Sequence, residues 1–101
     1  MNDAAVGTTA QLEETVLEFA NNRLLVDLCG EFDRNLARIE DGLGLQIVRR
    51  GNVLALVGDA DTRARASAIL NDLYARLETG KPVESGDLDA ALRMRPKTNP
   101  P

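Results

Sequence analysis

Apolar and polar positions recur along this chain with two different periods, and the switches between them mark its elements. "ETVLEFA" (Glu14–Ala20) is short, apolar at Val16 and Leu17, and rich in residues that favour extended structure, so it predicts a strand. Asn21 and Asn22 follow, and asparagine caps a helix by accepting a hydrogen bond from a free N–H of the first turn. Leu24, Leu25 and Leu28 then share one helical face, and Gly30 is a natural stop, because glycine accepts the left-handed conformation at a helix C-terminus. "EFDRNLARIEDGLG" restarts the helical period. Phe32, Leu36, Ile39 and Leu43 make one apolar stripe, with Asp33 as the expected N-cap and Phe32 as an expected staple back onto the helix.

"LQIVRRGNVLALVGD" changes to a period of two. Leu45, Ile47 and Arg49 alternate with Gln46, Val48 and Arg50, the pair Gly51-Asn52 makes a turn, and Val53–Val57 forms a second, antiparallel strand. Val53–Val57 is apolar throughout, which predicts a central strand or one covered on both faces. Asp59 or Asp61 caps the longest helix, with Ala66, Ile69, Leu70, Leu73 and Leu77 on its core face, and Gly80 and Pro82 stop it. Ser85 is the expected cap of a last short helix with Leu88, Ala91 and Leu92 inward, and "RPKTNPP" is too rich in proline to continue it.

The predicted order is β-α-α-β-β-α plus a short C-terminal helix: an α+β layer of three strands with helices on one face. The expected organisation is a flexible N-terminal tail over 1–12, one folded domain over 13–94, and a linker over 95–101.

Composition narrows the chemistry more than the fold. The net charge is -4, and the acidic surplus lies in residues 1–50, where 9 acidic side chains face 5 basic ones. A general electrostatic nucleic-acid binder is basic, so any such site here rests on a local patch. With no histidine and a single cysteine, Cys29, the chain lacks the usual general base, the usual nucleophile activator and a thiolate metal cluster. Cys29 therefore reads as a small buried residue rather than a nucleophile. No apolar run approaches a membrane span and the N-terminus is not a signal peptide, so the expected compartment is the cytoplasm, with no membrane partner.

The element order, with a glycine between two short helices, resembles a type I KH (K-homology) domain over about Val16–Leu77. The match is closer to the N-terminal domain of the PhoH-like ATPases, over about Thr15–Leu92. It is carried by "NRLLVDLCG", by Asn35 five residues after Gly30, by Ile39-Glu40, by the turn Arg50-Gly51-Asn52, and by "ILNDLYARLETG" and "DLDAAL" further on. The resemblance implies a non-catalytic accessory domain that works beside an ATPase domain of the same full-length chain. It also implies an association with single-stranded RNA and ring-like homo-oligomers. ATP and magnesium are expected only in that ATPase domain, because this chain has no P-loop: Gly80-Lys81-Pro82 lacks the second glycine and the Ser or Thr that a phosphate cradle needs. No cofactor and no catalytic residue are expected here.

In KH domains the joint is a G-x-x-G loop whose backbone N–H groups clamp phosphates. Here it is Gly30-Glu31-Phe32-Asp33, so the second glycine is replaced and two carboxylates are added. Two readings stand: Gly30 and Asp33 are helix caps, or the loop still holds a phosphate. The candidate nucleic-acid residues are Gly30, Arg34, Arg38, Arg49 and Arg50. Arg34 and Arg38 share a helix face, while Arg49 and Arg50 point to opposite faces of their strand. The alternative for these arginines is a solvated, ion-paired surface. Asn35 either bonds to the loop backbone or is an exposed helix residue. Phe19 and Phe32 fit core positions, so no exposed stacking platform is expected. If the loop is degenerate, the scaffold is a protein-interaction or assembly module instead.

Overall fold

The computed structural model describes residues 13–93; the expected tail over 1–12 and linker over 95–101 lie outside the described residues. The elements are strand β1 (Glu14–Glu18), helix α1 (Asn22–Cys29), a tight turn at Glu31–Asp33, helix α2 (Arg34–Leu43), strands β2 (Gln46–Arg50) and β3 (Val53–Val57), and helices α3 (Ala60–Glu78) and α4 (Ser85–Arg93). The β-α-α-β-β-α order with an added C-terminal helix is thus the one the sequence pattern predicts. The three strands form one antiparallel sheet in the order β1-β3-β2.

The two periods decide which residues go inside. Leu54 and Leu56 of β3 stand in register with Leu17 and Thr15 of β1 and with Arg49 and Ile47 of β2, and this face carries the helices. The core closes there around Phe19, Leu25, Leu28, Leu36, Ile39, Leu54, Leu56, Ile69, Leu70, Leu73, Leu77 and Leu88, all buried. Every predicted core position of α3 is buried. β3 is central, as its apolar run indicates, but among the described residues helices cover one face only. Ala55 is nevertheless 3% exposed, because its neighbours on β1 and β2 shield so small a side chain.

Polar side chains fix the connections. The Asn21 Oδ1 accepts from the N–H groups of Arg23 (3.0 Å) and Leu24 (3.2 Å), capping α1. The Tyr74 hydroxyl accepts from the Asn21 N–H at 3.0 Å while its ring packs on Phe19, holding the β1–α1 corner against α3. Asn52, in the turn between β2 and β3, binds Phe19 twice: its carbonyl accepts the Phe19 N–H (2.9 Å) and its Nδ2 donates to the Phe19 carbonyl (3.1 Å). The Glu40 carboxylate accepts from the Ile47 N–H at 2.7 Å, occupying part of the edge that β2 leaves unpaired. Asp59 caps α3 by accepting from the Thr62 N–H at 2.8 Å, and that bond holds its carboxyl below the ordinary value.

Ser85 is the first residue of α4 rather than its cap; the Asp87 carboxylate reaches back to the Glu84 N–H at 3.0 Å instead. Asp87 also forms an ion pair with Arg76 of α3 at 3.3 Å, tying the last helix to the longest one.

Candidate nucleic-acid interface

The joint between α1 and α2 is built from the inside by Gly30 and Asn35. α1 ends with Leu28 and Cys29 buried, and the Gly30 N–H still bonds the Val26 carbonyl at 3.0 Å. Gly30 has φ 81° and ψ 175°. It stops the helix, though in an extended mirror-image conformation rather than the expected left-handed cap, and essentially only glycine adopts it. A Cβ at this position would stand 2.8 Å from Asn35 Nδ2. That amide donates to the Leu28 carbonyl at 3.1 Å, satisfying an acceptor at the end of α1. Of the two readings of Asn35, the structure therefore has the bond to backbone, and Gly30 is what leaves room for it.

From the outside the joint looks different. Phe32 (φ 55°) and Asp33 (φ 57°) are both left-handed, a conformation that is costly for side chains larger than glycine. Asp33 tolerates it better than most residues. It makes no side-chain capping bond, contrary to the expectation; its Oδ1 accepts from Arg49 Nη1 at 3.1 Å. Phe32 is 96% exposed, so it is neither a core residue nor a staple. The periodic spacing to Leu36 was misleading, because α2 begins only at Arg34 and the left-handed turn before it swings the ring outward. The expected absence of an exposed aromatic is overturned by this residue. Val26, one turn before Gly30, is also exposed.

The five candidate residues do not form one groove. Arg34 is exposed at the start of α2, with Glu31 loosely beside it at 3.9 Å. Arg38, one turn on, is paired with Asp89 of α4. Arg49 lies on the helix-covered side of β2, held by Asp33. Arg50 lies on the opposite, open side of the sheet. Gly30, Arg34 and Arg49 thus gather at the joint, while Arg38 and Arg50 serve other surfaces.

No protein-family model matches the sequence, and no solved structure matches the fold.

Each arginine at the joint faces a carboxylate, so the local field is close to balanced. Partly exposed pairs of this kind contribute little to stability, and a phosphate would have to compete for them. Cys29 is fully buried beneath the joint; burial pushes its thiol up to about 11, against a weaker downward pull from Arg49. It is a protonated packing residue at neutral pH. What the joint offers chemically is one aromatic ring on a tight, glycine-supported turn, one accessible guanidinium in Arg34, and one exposed carboxylate in Glu31.

Phe32 is the feature that sequence reasoning missed. The available signal was Gly30 followed three residues later by Asp33: two residues tolerant of positive φ bracket a turn, where helical spacing no longer says which way a side chain points.

Proposed function

We propose that this chain is a non-catalytic KH-like accessory domain of a PhoH-like ATPase, acting in the cytoplasm, and that its α1–α2 joint binds single-stranded RNA by stacking rather than by a phosphate groove. The 96% exposure of Phe32 at the tip of the joint carries this reading. Unstacked bases pack on aromatic rings, at about 1–3 kcal/mol per base. Arg34, two residues after Phe32 and exposed, supplies the backbone contact; Gly30 acts by shaping the turn.

The reading makes a specific demand on salt dependence. A groove of four arginines would give steep loss of affinity with salt, whereas one guanidinium gives a slope of only about -0.7 on a log–log plot for single strands. A salt titration with a short single-stranded RNA tests this. Weak binding with a shallow slope, abolished by Phe32→Ala and unaffected by Arg50→Glu, is expected. Absence of binding at low salt, or affinity unchanged by Phe32→Ala, overturns it.

A second reading is favoured by the carboxylates that occupy Arg34, Arg38 and Arg49. In it Phe32 is an anchor for a partner protein, since exposed aromatics are typical interface hot spots. Retention of a folded, RNA-inert domain by the full-length ATPase, lost on Phe32→Ala, selects that reading.

A further inference from the structure

The face of the sheet away from the helices is laid out as a self-complementary surface. Register puts nine side chains on it: Glu14, Val16 and Glu18 from β1, Val57, Ala55 and Val53 from β3, and Gln46, Val48 and Arg50 from β2. The middle row, Val16-Ala55-Val48, and the middle column, Val53-Ala55-Val57, are wholly apolar. They form a cross, with Val16 57% exposed. The four corners are polar. Glu18 and Arg50 flank Val53 at one end; Glu14 and Gln46 flank Val57 at the other. Neither Glu18 nor Arg50 has an ion-pair partner among the described residues. An apolar cross bounded by polar corners gives an interface both burial and charge to set its register.

We propose that this face is the contact between two copies of the chain, stacked sheet on sheet about a two-fold axis parallel to β3. The charges choose the axis. Rotation about a line parallel to the strands lays β1 of one copy over β2 of the other. Each Glu18 then meets the partner's Arg50, each Glu14 meets the partner's Gln46, and Val16 stacks on the partner's Val48. Rotation about a line across the strands instead sets Glu14 against the partner's Glu18 twice over, a like-charge contact that disfavours it. Aligned sheets pack with a twist of about 30°, a displacement at the corners that long Glu and Arg side chains absorb. Nine residues a side is below the roughly 20–30 of a standard interface, so the dimer dissociates readily. The inference rests on the sheet alone and is independent of what binds at Phe32.

Sedimentation of the chain from about 10 µM to about 1 mM, a range matched to an interface of less than standard size, tests it. A reversible monomer–dimer equilibrium is expected. Val16→Asp puts a charge into the apolar middle row, against the partner's Val48, and abolishes the dimer. Glu18→Arg and Arg50→Glu each set like charges together and weaken association by about tenfold or more, and the double variant restores it. Circular dichroism establishes that each variant is folded. A wild-type chain that stays monomeric throughout overturns the proposal and leaves the face to another occupant. A folded double variant that fails to recover association overturns the axis and with it the pairing.

Discussion

The two sides of the α1–α2 joint are made of neighbouring residues and obey different rules. On the inside, Gly30, Asn35, Leu28 and Cys29 are interlocked: a glycine conformation, an amide-to-carbonyl bond and two buried side chains each require the others. On the outside, Glu31 and Phe32 touch little, and Phe32 holds a left-handed conformation with its ring in solvent. The inside explains itself by stability. The outside costs stability and returns none within the domain, which is the usual mark of a segment kept for contact with something else.

Substitutions separate the two sides. The largest effect belongs to Gly30→Ala, which adds a Cβ 2.8 Å from Asn35 Nδ2 at φ 81°. Strained backbone plus loss of the amide bond costs about 2–4 kcal/mol, read by denaturant unfolding, and Gly30 replaced with equal stability would break the account of the inside. Asn35→Asp comes next. It keeps the shape but turns a carboxylate oxygen toward the Leu28 carbonyl, a loss of about 1–3 kcal/mol.

Cys29 gives the inside a pH signature. Its thiol is raised from 9.0 to about 11 by burial, so the unfolded chain releases this proton before the folded one does. The contribution is fully present below pH 9.0 and is lost as pH rises toward about 11. Cys29→Ala, although less stable at neutral pH, shows a flatter profile over that window.

The outside responds in the opposite direction. Phe32→Gly relieves the left-handed strain and raises stability by about 1 kcal/mol. Phe32→Ala leaves stability within about 0.5 kcal/mol, as for an exposed site. A clear loss of stability in either variant would mean that the ring packs against the domain.

The same contrast explains what was legible in the sequence. Helices and strands were readable because they have a buried side: the Leu36–Ile39 pair, the alternation through Ile47, and all five core positions of α3 follow from period alone. The polar motif residues were readable as a pattern, but their work is architectural. Asn35 closes α1, Glu40 occupies the β2 edge, and Asn52 clasps Phe19. The tip was not readable, because periodicity assumes that an apolar residue seeks the core. Phe32 obeys the spacing and violates the assumption, since its backbone leaves the helix before its side chain is placed. The surroundings of the arginines are hidden from the sequence for a related reason. Sequence spacing shows that Arg34 and Arg38 share a helix face, but not that Asp89, 51 residues beyond Arg38, arrives to occupy one of them. Asp33 stands at the expected N-cap position, but its side chain bonds Arg49 of another element, a partner that spacing does not reveal.

The central claim is that the joint's tip, and not an arginine groove, meets the ligand. Nuclear magnetic resonance mapping of backbone amide shifts on addition of a short single-stranded RNA addresses it residue by residue. The account predicts the largest changes across Glu31–Arg34, with Phe32 ring resonances moving upfield as a base stacks, and little change at Arg50. Changes centred on Arg49 and Arg50 with Phe32 unmoved, or no change at all at low salt, would contradict it.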